Sequence, residues 1–349
     1  MTIESCSYRS HYVQKALQSN FATTDGKAKK IFFAHIEHKD GWTINIDSNM
    51  KQKGLYPDDI EALFNSKAEK DFTELWRKLC TSKTISIHRY EFDTIKKYIL
   101  LQLIRTPAEI ERIRKYLLEA SIPSYISECV SDRRTNESEK DYWFRILRTV
   151  LKNNWEELRS CDCPYVRSLS RVIDRMTPLL VETRDDLILP DSGVSRYAIW
   201  CTPQKKDWIK DLNEVFNKTY GFEQSLIIAG DGGPFLVFIC LPMDKNHALM
   251  LVEDIVRLNP VATNPIHIEF FSELKYNTRI KYRNYHSSDK KIGIEDMQKY
   301  WSPDDEITLT IQFAKQETVN ELNYLALKDL DIGFSFNNLD GIRTFIQFE

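Results

Sequence analysis

The period of the apolar positions changes several times along the 349 residues, and each change predicts a different element. KKIFFAHI and GWTINI (residues 29–36 and 41–46) carry aromatic and β-branched residues around a polar turn, which predicts two short strands in a hairpin. In DIEALFNSKAEKDFTELWRKL, Ile60, Leu63, Phe64, Ala68, Phe72, Leu75 and Leu79 share one side of a helical period. One amphipathic helix is predicted there, with Asp58 as N-cap and Glu61 as its capping-box partner. From Tyr98 to Ile104 the apolar residues run all round the helix, so that half should be buried. At Thr106 the order Thr-Pro-Ala-Glu supplies a cap, a proline at the first helical position and a glutamate at the third, so one helix stops and another starts.

Helical spacing continues in KDYWFRILRTVLKNNWEELRS and PYVRSLSRVIDRM, preceded by the polar SDRRTNESEK, read as a loop or a fraying helix end. From about residue 177 strands and helices alternate. LLVE, LILP, RYAIW, SLIIAG, PFLVFICL, IHIEFF and ITLTIQF read as strands, and KKDWIKDLNEVFNKTY, HALMLVEDIVRL and TVNELNYLALKDL as helices. The expectation is an α+β protein with a helix-rich part over residues 1–176, including the hairpin, and a mixed α/β part over 177–349. Asp244 then reads as a cap for a helix starting near Asn246.

Composition narrows the classes. With 42% apolar and 12% aromatic residues the chain can bury a sizeable core. A net charge of −3 gives no global field that would hold a polyanion, though it leaves local basic patches open. No apolar run reaches the length of a membrane span and the first residues lack signal-peptide character, so a cytoplasmic protein with no membrane role is expected. Seven scattered cysteines argue for reduced thiols. Cys161 and Cys163 are a close pair without a second pair at zinc-ligand spacing.

HYVQKALQSNFA, IEALFNSKAEKDFTELWRKL, ILLQLIRTPAEIERI, LILPDSGV, ICLPMDKNHALML and ETVNELNYLALKDL, in that order, resemble segments of one prokaryotic family, domain of unknown function 4238. HYVQKALQSNFA is similar to its opening His-Tyr-Val-Pro pattern, IEALFNSKAEKDFTELWRKL to its helix with two spaced glutamates, and ILLQLIRTPAEIERI to its Gln-x-x-Arg-Thr-Pro segment. LILPDSGV resembles a Thr-Ser-Asp-Asn-Pro turn, ICLPMDKNHALML a Pro-Leu-Ser-Pro segment, and ETVNELNYLALKDL the closing helix with its Leu-Asn. Gln14 and Gly193 stand where that pattern has proline, and residues 195–233 and 255–310 look inserted relative to it. The resemblance implies a bacterial protein loosely associated with antiviral defence gene neighbourhoods and brings no established activity.

The candidate residues lie in these segments. His11, near a helix start, is either a structural hydrogen-bond donor or a general base or metal ligand. Glu69, at the edge of the apolar stripe, needs either Arg105 or a metal ion as partner. Arg105, with Gln102 one turn earlier, is either architectural or the holder of a substrate's anionic group. Asp191 and Ser192 form a strand-end turn, which is where binding and catalytic groups are often placed. Asn323, on an apolar helix face, either ties its helix to a loop or lines a pocket.

Two functions are compatible with these residues. One is a metal-dependent hydrolase, nuclease-like, with Glu69 and Asp191 holding Mg or Mn, His11 activating water, and Arg105, Gln102, Ser192 and Asn323 binding substrate, nucleic acid included. The other is a non-catalytic sensor or scaffold that binds a protein partner or ligand through the C-terminal region. Oligomeric state is not readable from the sequence. The glycines of AGDGGPF (residues 229–235) lack the context of a phosphate loop, and no metalloprotease or nucleophile-elbow motif occurs.

Overall fold

The computed structural model describes residues 9–35, 40–65, 69–118, 137–174, 176–200, 234–253, 278–283, 301–328 and 333–337. The strands are β1 (Arg9–His11), β2 (Thr23–Asp25), β3 (Ala28–His35), β4 (Asp40–Asn45), β5 (Lys51–Lys53), β6 (Thr84–His88), β7 (Met176–Glu182), β8 (Leu189–Pro190), β9 (Ser195–Trp200), β10 (Pro234–Pro242), β11 (His247–Glu253), β12 (Arg279–Lys281), β13 (Glu306–Thr310), β14 (Gln312–Phe313) and β15 (Gly333–Phe336). The helices are α1 (Lys15–Phe21), α2 (Asp58–Leu63), α3 (Glu69–Leu79), α4 (Arg89–Ile104), α5 (Pro107–Leu118), α6 (Glu139–Lys152), α7 (Trp155–Ser160), α8 (Pro164–Asp174) and α9 (Gln316–Lys328). The protein is α+β, as the alternation of periods predicts.

Helix α4 is the centre of the helical part. Ile95, Ile99, Leu100, Leu101 and Ile104 are almost wholly inaccessible, because α3, α6, α7, α8, β6 and β13 all pack against this helix. Each such aliphatic side chain contributes about 1.5–3 kcal/mol of burial free energy, which makes this helix the main anchor of the surrounding elements. The break after it falls at the Arg105-Thr106-Pro107 corner, as predicted, but the Thr106 hydroxyl caps nothing: its Oγ1 is buried without a hydrogen-bond partner.

One predicted helix is divided, and another is interrupted by residues 66–68, which lie outside the described residues. The stretch 58–79 forms α2 and α3, and Asn65 Nδ2 donates to the Glu61 carbonyl at 3.0 Å beyond the end of α2. Pro57, not Asp58, is the N-cap of α2, and it makes no side-chain cap bond. Glu61 is therefore not a capping-box partner. The stretch 139–160 divides at Asn153 and Asn154, where the Asn154 side chain accepts from Glu157 N at 2.9 Å and the Glu157 carboxylate accepts from Asn154 N at 2.8 Å. That reciprocal pair starts α7.

Sheets of the described residues run in the orders β14-β7-β11-β10-β9, β12-β13-β6, β2-β3-β15-β8 with β4 also on β3, and β1-β5. The β3–β4 hairpin has the expected register, Ile31 opposite Ile44. Residues 247–253, predicted as the start of a helix, are the strand β11, antiparallel to both β10 and β7, with Leu249 opposite Leu241 and Leu180. Its residues Ala248 to Val252 are consecutively buried, and a short continuous apolar run fits a central strand as readily as a helix. The segments SLIIAG, KKDWIKDLNEVFNKTY and IHIEFF lie outside the described residues, as do most of the two stretches that look inserted.

Candidate functional site

Three of the segments that resemble the family, those of His11, Glu69 and Arg105, meet at the corner between α4 and α5. Arg105 is 2% exposed; its Nη1 donates to Glu69 Oε1 at 2.9 Å and its Nη2 to the His11 carbonyl at 2.7 Å, while its guanidinium carbon lies 4.1 Å from the Phe64 ring centre. Burial by itself would lower the guanidinium pKa, but the charge of Glu69 and the neighbouring Tyr56 outweigh it and hold the group above its ordinary value. The end of α4 is closed by other side chains: Trp143 Nε1 donates to the Ile104 carbonyl at 2.6 Å and Tyr56 Oη to that of Arg105. Of the two partners considered for Glu69, Arg105 is the one in contact with it.

Gln14 occupies the first departure from the family pattern. Its φ of −52° and ψ of 130° are values a proline can adopt. The side chain adds ties that proline cannot make: Nε2 donates to the Glu69 carbonyl at 3.2 Å and to Thr73 Oγ1 at 3.4 Å, and Oε1 accepts from Tyr98 Oη at 2.8 Å. Gly193, the second departure, differs. It has φ +75°, in the left-handed region closed to proline, and its amide donates to the Pro190 carbonyl at 2.8 Å to close the Pro-Asp-Ser-Gly turn. A Cβ there would stand 2.7 Å from Gln102 Oε1. Gly193→Ala is expected to lower unfolding free energy by about 1–2 kcal/mol from backbone strain alone, measurable as a lower urea midpoint.

The remaining candidates other than Gln102 are tied into the fold by hydrogen bonds. His11 ends strand β1 rather than starting a helix, which begins at Lys15 because Gln14 is extended. The His11 ring donates from Nε2 to the Ile46 carbonyl at 3.1 Å, and burial lowers its pKa so that the neutral form dominates near pH 7. Asp191 Oδ2 accepts from Gly333 N at 3.1 Å, and the Ser192 hydroxyl donates to the Val194 carbonyl. Asn323 Oδ1 accepts from Ile188 N at 3.1 Å and its Nδ2 donates to the Asp186 carbonyl at 3.0 Å, which ties α9 to a loop. Burial pushes the Glu61 carboxyl up, against the opposing influence of Ser10 and Arg105. Gln102 is fully buried, and neither atom of its amide has a hydrogen-bond partner.

A cluster that sequence reading missed lies beside the β10–β11 turn. Asp244 does not cap a helix: its Oδ1 accepts from Asn246 N at 2.7 Å, from His247 N at 2.8 Å and from His247 Nδ1 at 2.9 Å. This contact raises the His247 pKa. Cys80, immediately after α3, completes the group, and both burial and the Asp244 carboxylate push its thiol pKa up. A protonated thiol beside a carboxylate is a poor nucleophile. The local signal was Asp-x-x-His across a turn, which is legible only once residues 247–253 are read as a strand.

No helix of the described residues is long and apolar enough to cross a membrane. Comparison with curated proteins and with solved structures gives no match. The pattern of the family described as "Protein of unknown function (DUF4238)" matches residues 9–329, and the chain belongs to that family.

Proposed function

We propose that the protein is a non-catalytic sensor or scaffold, in which the helical part is a framework and the C-terminal α/β region binds a protein partner or ligand. One observation supports this above the hydrolase reading: the polar groups that hydrolysis would need are engaged within the chain. The His11 ring holds Ile46, Glu69 holds Arg105, and Asp191 holds Gly333. Among the described residues, His11, Glu69 and Asp191 do not form a group of three donors able to share one ion. Buried ties between segments far apart in sequence are what a framework requires.

The full chain, incubated with Mg²⁺ or Mn²⁺ and single- or double-stranded DNA and RNA, is expected to cleave none of them. Cleavage that disappears in Glu69→Gln or Asp191→Asn, while the thermal midpoint of the variant is retained, would overturn the proposal in favour of the hydrolase.

A further inference from the structure

Three metal-competent donors from two separate parts of the chain meet between α3 and the β10–β11 turn. Cys80 follows α3, while Asp244 and His247 flank the β10–β11 turn, and one ligand atom from each lies within 4.8 Å of the others. Zinc bonds of about 2.0–2.3 Å at tetrahedral angles place ligand atoms about 3–4 Å apart, so a shared ion needs side-chain movements of only about an ångström. We propose that Cys80, Asp244 and His247 bind one zinc-class divalent transition metal that joins α3 to the β10–β11 hairpin.

The donor chemistry selects the class of ion. A sulfur and an imidazole nitrogen beside one carboxylate suit zinc or cobalt, whereas magnesium and calcium take oxygen ligands. Access is open: the Asp244 and His247 side chains are 20% and 19% exposed. The carboxylate is already oriented by the Asn246 and His247 amides, so little ordering remains to be done on binding. Glu182, opposite His247 on β7, adds a second negative charge next to the site. On binding, the thiol proton leaves to solvent as the metal–sulfur bond forms, and the imidazole binds as the neutral ring. Three protein ligands leave a fourth position for water or a further ligand. This inference stands apart from the functional reading above, since either a scaffold or an enzyme could carry the site.

The test uses the full chain, stripped with a chelator and titrated with Co²⁺ alone. One equivalent should bind with a thiolate-to-cobalt charge-transfer band and visible bands of tetrahedral intensity, and Zn²⁺ should abolish both. Cys80→Ser should remove the charge-transfer band, Cys161→Ser and Cys163→Ser should keep it, and His247→Gln or Asp244→Asn should weaken affinity by at least about tenfold. Far-ultraviolet circular dichroism establishes that each variant is folded. Should Cys80→Ser fail to fold, His247→Gln decides: zinc should raise the thermal midpoint of the parent chain and not of this variant. Absence of the charge-transfer band from the folded parent at micromolar cobalt, its survival in Cys80→Ser, or an equal zinc shift in His247→Gln would overturn the proposal.

Discussion

Methionine in place of Arg105 will lower the unfolding free energy by about 3–5 kcal/mol, the usual loss when one partner of a buried ion pair is removed. The reason lies in what remains. Glu69, whose side chain is 18% exposed, loses its cation, the His11 carbonyl loses the 2.7 Å bond from Nη2, and the Phe64 ring loses the charge stacked over it. Removing Glu69 as well, in Arg105→Met/Glu69→Gln, should recover part of the loss, because no uncompensated carboxylate is then left. Lysine at the same position should be intermediate: it keeps the charge but cannot serve Glu69 and His11 from one planar fork. Urea unfolding followed by circular dichroism measures all three variants. An Arg105→Met loss under about 1 kcal/mol, in the range of an exposed pair, would show that the corner does not hold the framework together.

What could be read in the sequence was what local chemistry encodes. The Arg-Thr-Pro corner and the division into α4 and α5 follow from the fixed φ of Pro107 and from the residue that precedes it. The β3–β4 hairpin follows from two β-rich runs around a polar turn. Burial of Tyr98 to Ile104 follows from an apolar face that goes all the way round the helix. The pairing of Glu69 with Arg105 was legible as one of two partners, since a half-buried carboxylate at a stripe edge needs a cation.

Other features depend on chain segments brought together only by the tertiary fold. Nothing near Asp191 announces that its acceptor role is directed to Gly333, and nothing near Asn323 points to Ile188. The strand β11 was misread because HALMLVE satisfies a buried strand and a buried helix equally; its neighbours β7 and β10 decide the matter. That misreading also hid the Cys80, Asp244 and His247 group, since a helix beginning near Asn246 makes Asp244 a cap and gives His247 no role. Gln14 carries a different lesson. Gln14 has a φ that proline could adopt and adds three side-chain bonds, which tie it to α3 and α4.

A second buried charge centre should have effects as large as those at Arg105. Lys96 is 1% exposed, and its ammonium contacts Asp174 Oδ1 at 2.8 Å and Asp93 Oδ1 at 3.3 Å. Asp174 also accepts from Trp155 Nε1 at 2.9 Å and from Arg159 Nη1 at 3.0 Å, which joins α4, α7 and α8 through one carboxylate. Asp174→Ala is expected to lower stability by about 3–5 kcal/mol, because Lys96 then stays buried with Asp93 alone. The pH dependence has a definite sign. Burial would raise the Asp174 pKa, but Lys96, Trp155 and Arg159 together hold it below the ordinary carboxylate value. A carboxylate whose folded pKa is depressed binds fewer protons in the native state than in the unfolded chain. Its stabilisation is therefore complete above the unfolded pKa of about 4 and is lost as pH falls through the lower folded value. Asp93, raised mainly by burial, works in the opposite direction but above the unfolded carboxylate value, so its contribution falls in the adjacent, less acid window and leaves the slope from Asp174 below that value in place. Asp174→Asn should remove the Asp174 part of the acid loss while reducing stability near neutrality. Urea unfolding at about pH 7 and about pH 3 measures both: the gap between parent and Asp174→Asn should narrow at the acid pH, and a gap that widens there would contradict the assigned role of this carboxylate.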